Sequence, residues 1–76
     1  MPIMTKEELQ IKLGSRIVQL RTAKRIKQIE LARKVDIEDS ALRRIERGKT
    51  NCTLWMMKRI SEALDIALPE LLNFED

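Results

Sequence analysis

The chain has no histidine and no tyrosine, one cysteine, two glycines, two prolines, one tryptophan and one phenylalanine. Each shortage closes off a class of function. Without histidine or tyrosine, and with Cys52 lacking a base at a recognisable spacing, catalysis has little to stand on, and no enzyme is expected. A single cysteine cannot form a disulfide within the chain, and nothing has the spacing of zinc ligands, so no metal or other cofactor is expected. Two glycines leave no glycine-rich phosphate loop, and no small-molecule ligand is expected. The low aromatic content argues against a small β-barrel. No apolar run approaches the roughly 20 residues that cross a bilayer, and the amino terminus lacks a basic stretch leading into an apolar signal core. A cytoplasmic protein without a membrane partner is expected.

What remains is rich in Leu, Ile, Ala, Lys, Arg and Glu, the residues that favour helix. At 76 residues the chain is expected to be a single all-α domain spanning residues 1–76, with a modest core. The formal charge of +3 conceals a gradient. Residues 12–59 hold 14 Lys or Arg against 5 Asp or Glu, a net of +9, while residues 1–11 sum to −1 and residues 60–76 to −5. A basic middle suits a polyanion, because Lys and Arg that neutralise phosphates release condensed counterions. A solvated helical face is the plain alternative, and charge alone leaves both open.

Apolar spacing predicts five helices. Thr5 and Glu8 form a capping box ahead of Leu9, Leu13, Ile17 and Leu20, predicting a first helix over about 6–24. Leu31, Ala32 and Val35 predict a short second helix over Gln28–Lys34, after which Asp36 turns the chain. Ala41, Leu42 and Ile45 stripe a third within 38–46, and Gly48 is placed to end it in the left-handed conformation. Thr53 caps a fourth whose inward face is Leu54, Met57, Ile60, Ser61 and Leu64. Ile66 and Leu68 then follow in a loop, and Pro69 opens a short fifth helix with Leu71 and Leu72. Two short helices joined by about three residues in a basic setting have the geometry to lay the second into a major groove about 12 Å wide. Helix pairs of this kind also occur in bundles that never meet DNA.

Residues 13–72 carry LGSRIVQLR in the first helix, Gln28 followed by Glu30, Leu31 and Ala32 in the second, IERGK at the end of the third, and ALDIALPELL near the end. In these pieces and their joint spacing the chain resembles the phage-repressor-like Cro/CI helix-turn-helix family. The resemblance implies a compact five-helix domain and a transcriptional regulator that binds duplex DNA as a homodimer at inverted half-sites. It implies that Arg21 pairs with Glu46 as scaffold, joining the first helix to the third. It places Lys27 and Gln28 at a phosphate, and Glu38, Asp39, Ser40, Arg43 and Arg44 on the reading helix, with Asp39, Ser40, Arg43 and Arg44 expected to reach bases. Arg47, Lys49, Thr50 and Asn51 are expected to hold the sugar-phosphate backbone.

The sequence departs from the family at several points. Arg25 and Asp36 stand where glycines are common, so a left-handed Arg25 costs of order 1 kcal/mol or the loop takes another path. Glu38 and Asp39 put two acids near phosphates. Cys52 takes a usual proline position as a small filler. Trp55 and Met56 fall outside the expected core face and, with Phe74, are candidates for an isologous dimer patch. Phage repressors, antitoxins and restriction-modification controllers share this build, so a protein-interaction or antitoxin-type module is the alternative function.

Overall fold

The computed structural model describes residues 3–74, and those residues form helices and connecting turns without a strand. The elements are α1 (Lys6–Ala23), α2 (Gln28–Lys34), α3 (Asp39–Glu46), α4 (Leu54–Ala63) and α5 (Leu68–Leu71). Thr5 caps α1 as the sequence predicts: its hydroxyl accepts from Glu8 N, and Glu8 Oε1 accepts from Thr5 N. Thr53 caps α4 by accepting from Met56 N. Pro69 lies in the first turn of α5, where its missing N–H is not needed.

A chain with only two glycines still makes sharp turns, because four helices stop in the same way. Arg25, Asp36, Gly48 and Asp65 have φ of 59°, 57°, 70° and 58°, and each follows the C-cap residue of a helix. The next residue then donates its N–H back into the helix: Ile26 to Arg21, Ile37 to Ala32, Lys49 to Arg44, and Ile66 to Ser61, at 2.9–3.0 Å. These are Schellman motifs, which satisfy carbonyls left open at a helix end. Ile26, Ile37 and Ile66 use the reversal to tuck against the core. Asp and Gly tolerate the left-handed region, whereas arginine does so at a cost of about 1 kcal/mol. Arg25→Gly is therefore expected to stabilise the domain by up to about 1 kcal/mol, read as a higher urea midpoint at unchanged slope.

Leu13 and Ile17 of α1, Leu31, Ala32 and Val35 around α2, Leu42 and Ile45 of α3, Cys52, Ile60, Leu64 and Leu71 make the core. Ser61 is also fully buried, and its hydroxyl donates to Lys58 O at 2.7 Å. Arg16 ties the last helix to the first, donating through Nε and Nη2 to the Glu70 carbonyl at 3.2 and 3.0 Å.

Three expected inward or loop positions are corrected. Leu9 is 46% exposed, because an 18-residue helix is about 27 Å long and its first turns overhang a domain 20–22 Å across its short axes. Leu54, the first residue of α4, is 65% exposed. Leu68 starts α5 rather than lying in a loop, and Leu72 is exposed.

Candidate nucleic-acid interface

The turn between α2 and α3 is built by Asp36, whose left-handed backbone lets Asp36 N reach Arg33 O and Ile37 N reach Ala32 O. With Leu31, Ala32, Val35, Leu42 and Ile45 buried, α3 is held by its inner face. Its outer face carries Ser40, Arg43, Arg44 and Arg47, all exposed, with Asp39 half-buried on the flank. Glu38 precedes the helix, exposed, and its side chain makes no capping bond. Among the described residues none of these side chains forms a hydrogen bond or ion pair, so the guanidinium forks and the Asp39 carboxylate keep their full bonding capacity.

The scaffold beneath is tightly bonded. Arg21 Nε and Nη2 donate to Glu46 Oε2 and Oε1 at 2.8 and 3.1 Å, and Nη1 donates to Ile26 O at 2.9 Å. The two side chains are 12% and 5% exposed. The pair expected from the resemblance is thus present and buried, and it also fastens the α1–α2 turn. Gln28 joins it, donating Nε2 to Glu46 Oε1 at 2.8 Å. One donor of the amide expected at a phosphate is therefore held by Glu46. Gln28 still opens α2, where the first-turn N–H groups have no partner within the helix. Lys27 beside it is exposed, and its backbone N–H donates to Glu30 Oε1 at 3.1 Å.

After α3 the loop is fixed from α1. Gln10 Nε2 donates to Gly48 O at 3.1 Å, and Gly14 packs against the last carbonyls of α3. Sequence reading missed both residues, yet Gln10, Gly14, Ile17 and Arg21 form one stripe at i, i+4, i+7, i+11 that faces α3. Arg47, Lys49 and Asn51 are exposed, whereas Thr50 is half-buried in a cleft of about 260 Å³ shared with Ala41, Arg44, Asn51, Cys52 and Met56.

Cys52 lies under this loop, and burial pushes its thiol up from 9.0 to about 11. The unfolded thiol ionises first, so this group's contribution to stability is complete below pH 9 and is lost as the pH rises towards 11. At pH 8 the native thiol is expected to react with a disulfide reagent far more slowly than the denatured chain, and equal rates would show that the loop opens freely.

Of the three dimer candidates Trp55 is exposed, whereas Met56 and Phe74 are half-buried and packed against the core. Trp55 is 68% exposed beside Leu54; Met56 lines the cleft next to α3; Phe74 lines a groove of about 630 Å³ against Ile11, Lys12, Ser15 and Arg16 of α1.

This arrangement, a short helix, a tight turn and a second helix with an outward basic face, defines a helix-turn-helix protein. The helix-turn-helix family profile matches residues 17–71. The chain belongs to that family, in its Cro/CI-like branch, a family of transcriptional regulators and not of enzymes. It is 37% identical over 65 residues to the transcriptional regulator SinR of Bacillus licheniformis, covering 84% of this chain and 59% of SinR. It thus spans about three fifths of that relative. Among solved structures it is similar to the restriction-modification controller protein C.AhdI from Aeromonas hydrophila, with 37% identity and a TM-score of 0.79 over 82% of this chain and 94% of that one. It is also similar to the biofilm master regulator SinR solved in complex with DNA, with 35% identity and a TM-score of 0.73 over 80% of this chain and 98% of that one. Among the described residues no helix is long and apolar enough to cross a membrane.

Proposed function

We propose that the protein is a cytoplasmic, sequence-specific regulator that binds duplex DNA as a homodimer at inverted half-sites and controls transcription by occupying that operator. The observation that carries the reading is the outer face of α3, where Ser40, Arg43, Arg44 and Arg47 stand exposed and unpaired on a helix rigidly held by Arg21, Glu46 and Gln28. The complex of the similar SinR with DNA supports it.

Asp39, Ser40, Arg43 and Arg44 read base edges in the major groove. Arginine matches guanine O6 and N7 with two parallel bonds, each good bidentate pair discriminating by about 1–3 kcal/mol. Lys27, the α2 end at Gln28, Arg47, Lys49, Thr50 and Asn51 hold phosphates and set register without reading sequence. Glu38 borders the same surface. Trp55, with its neighbour Leu54, carries the self-contact, and Met56 and Phe74 are further candidates for it. No cofactor is required.

Selection from a random pool of duplex DNA at near-physiological salt tests this. The wild type should enrich an inverted repeat whose half-sites lie about one helical turn apart, and Arg43→Ala and Arg44→Ala should each weaken binding to it about 10- to 100-fold. Absence of enrichment would overturn the reading and direct attention to a protein partner at Trp55.

A further inference from the structure

The basic face of α3 begins with an acid that no scaffold contact accounts for. Asp39 is the first residue of the helix, half-buried on the flank of the exposed stripe, and it bonds to no described side chain. Arg43, one turn further on at i+4, is the ion-pair partner that helix geometry offers, yet the two are unpaired. Both termini of a potential salt bridge therefore remain available to a third party. Resting on the DNA-binding reading, we propose that Asp39 is a specificity-determining residue that selects cytosine at one position of each half-site and suppresses binding to all other DNA.

The selection follows from what each base shows in the major groove. Cytosine presents the N4 amino donor, which a carboxylate accepts. Guanine presents only the acceptors N7 and O6, and thymine presents O4 beside a methyl group, so both set lone pairs or apolar surface against the charge. Adenine presents a donor at N6 next to an acceptor at N7 and ranks between. The order is cytosine, then adenine, with guanine and thymine excluded. Arg43, about 6 Å along the helix against a base step of about 3.4 Å, meets a pair one or two steps away and favours guanine there.

The second part of the effect is repulsive. In a chain whose affinity for any duplex comes from counterion release, a carboxylate brought up to the groove lowers that common affinity for every sequence. Only a cytosine at the matching position offsets the loss. Asp39 thus widens the gap between operator and bulk DNA, the quantity that decides occupancy when competing sites are abundant.

The test compares wild type, Asp39→Asn and Asp39→Ser by duplex selection, followed by affinity for the wild-type consensus and for mixed-sequence DNA, with thermal melting in parallel. Asn pairs with adenine N6 and N7, so Asp39→Asn should move one column of the consensus from cytosine to adenine and leave the other columns unchanged. Asp39→Ser, which retains a good helix-start residue, should flatten that column. Both variants should bind the wild-type consensus about tenfold more weakly and mixed-sequence DNA more tightly. A consensus that is enriched but unaltered by Asp39→Asn would overturn the inference while leaving the DNA-binding reading intact. So would a parallel fall in both affinities together with the melting temperature, which would reduce Asp39 to a helix-start charge. No enrichment by the wild type would overturn both readings.

Discussion

Glu46→Ala is expected to lower the unfolding free energy by about 3–5 kcal/mol, because it leaves the Arg21 guanidinium buried without its counter-charge. Arg21 spends two N–H groups on Glu46 and a third on Ile26 O, with only 12% of its side chain exposed. Removing the carboxylate leaves the first two without a partner in a part-buried site. The same change frees the Gln28 amide, so the junction of all three helices loosens at once. A domain of this size has only about 5–15 kcal/mol to lose, and the variant should be largely unfolded near its growth temperature. The partner control separates charge from packing. Arg21→Met combined with Glu46→Leu removes both charges together and should be less destabilising than Glu46→Ala alone, because no orphan remains. Urea unfolding of the two variants beside the wild type decides it. A loss below about 1 kcal/mol for Glu46→Ala would place the pair with exposed, screened ion pairs and make its burial immaterial.

How far the sequence disclosed this architecture depends on which force acted at each position. Helix positions and the α2–α3 turn were readable because they follow local rules: a capping box at Thr5 and Glu8, Pro69 in a first turn, Gly48 after α3. The Asp65 turn escaped notice, although Leu64-Asp65-Ile66 repeats the pattern of Val35-Asp36-Ile37 and ends its helix by the same motif. Leu9 and Leu54 were misread because periodicity reports which side of a helix an apolar residue lies on and not how far the core extends along the axis. The candidate reading residues could be named from the resemblance, which fixes positions along α3. Their freedom from internal partners could not, since Asp39 and Arg43 at i, i+4 look in sequence like an ordinary surface ion pair. The bond from Gln28 to Glu46 spans 18 residues and depends on how α2 seats against α3, which no local rule specifies.

Gly14→Ala is expected to destabilise the domain by at least about 2 kcal/mol, although alanine is the better helix former by about 1 kcal/mol. An added Cβ at this position would overlap the Glu46 carbonyl oxygen, and it would stand 2.6 Å from the Ile45 carbonyl oxygen and 2.7 Å from the Glu46 carbonyl carbon. All three are backbone atoms, so no rotamer change relieves the contact. Either α1 withdraws from α3 or the last turn of α3 unwinds. Withdrawal opens the core around Ile17, which is fully buried, and stretches the bonds from Arg21 to Glu46 and from Gln10 to Gly48 that flank the contact along the same stripe. Unwinding releases the Gly48 turn and the loop carrying Arg47 and Lys49. Both routes disturb the seating of α3, so DNA affinity should fall even in conditions where the variant remains folded. Circular dichroism during urea unfolding, paired with binding at low denaturant, measures the two effects. A variant as stable as the wild type would show that α1 and α3 have slack at this crossing, and would remove the geometric reason for glycine there.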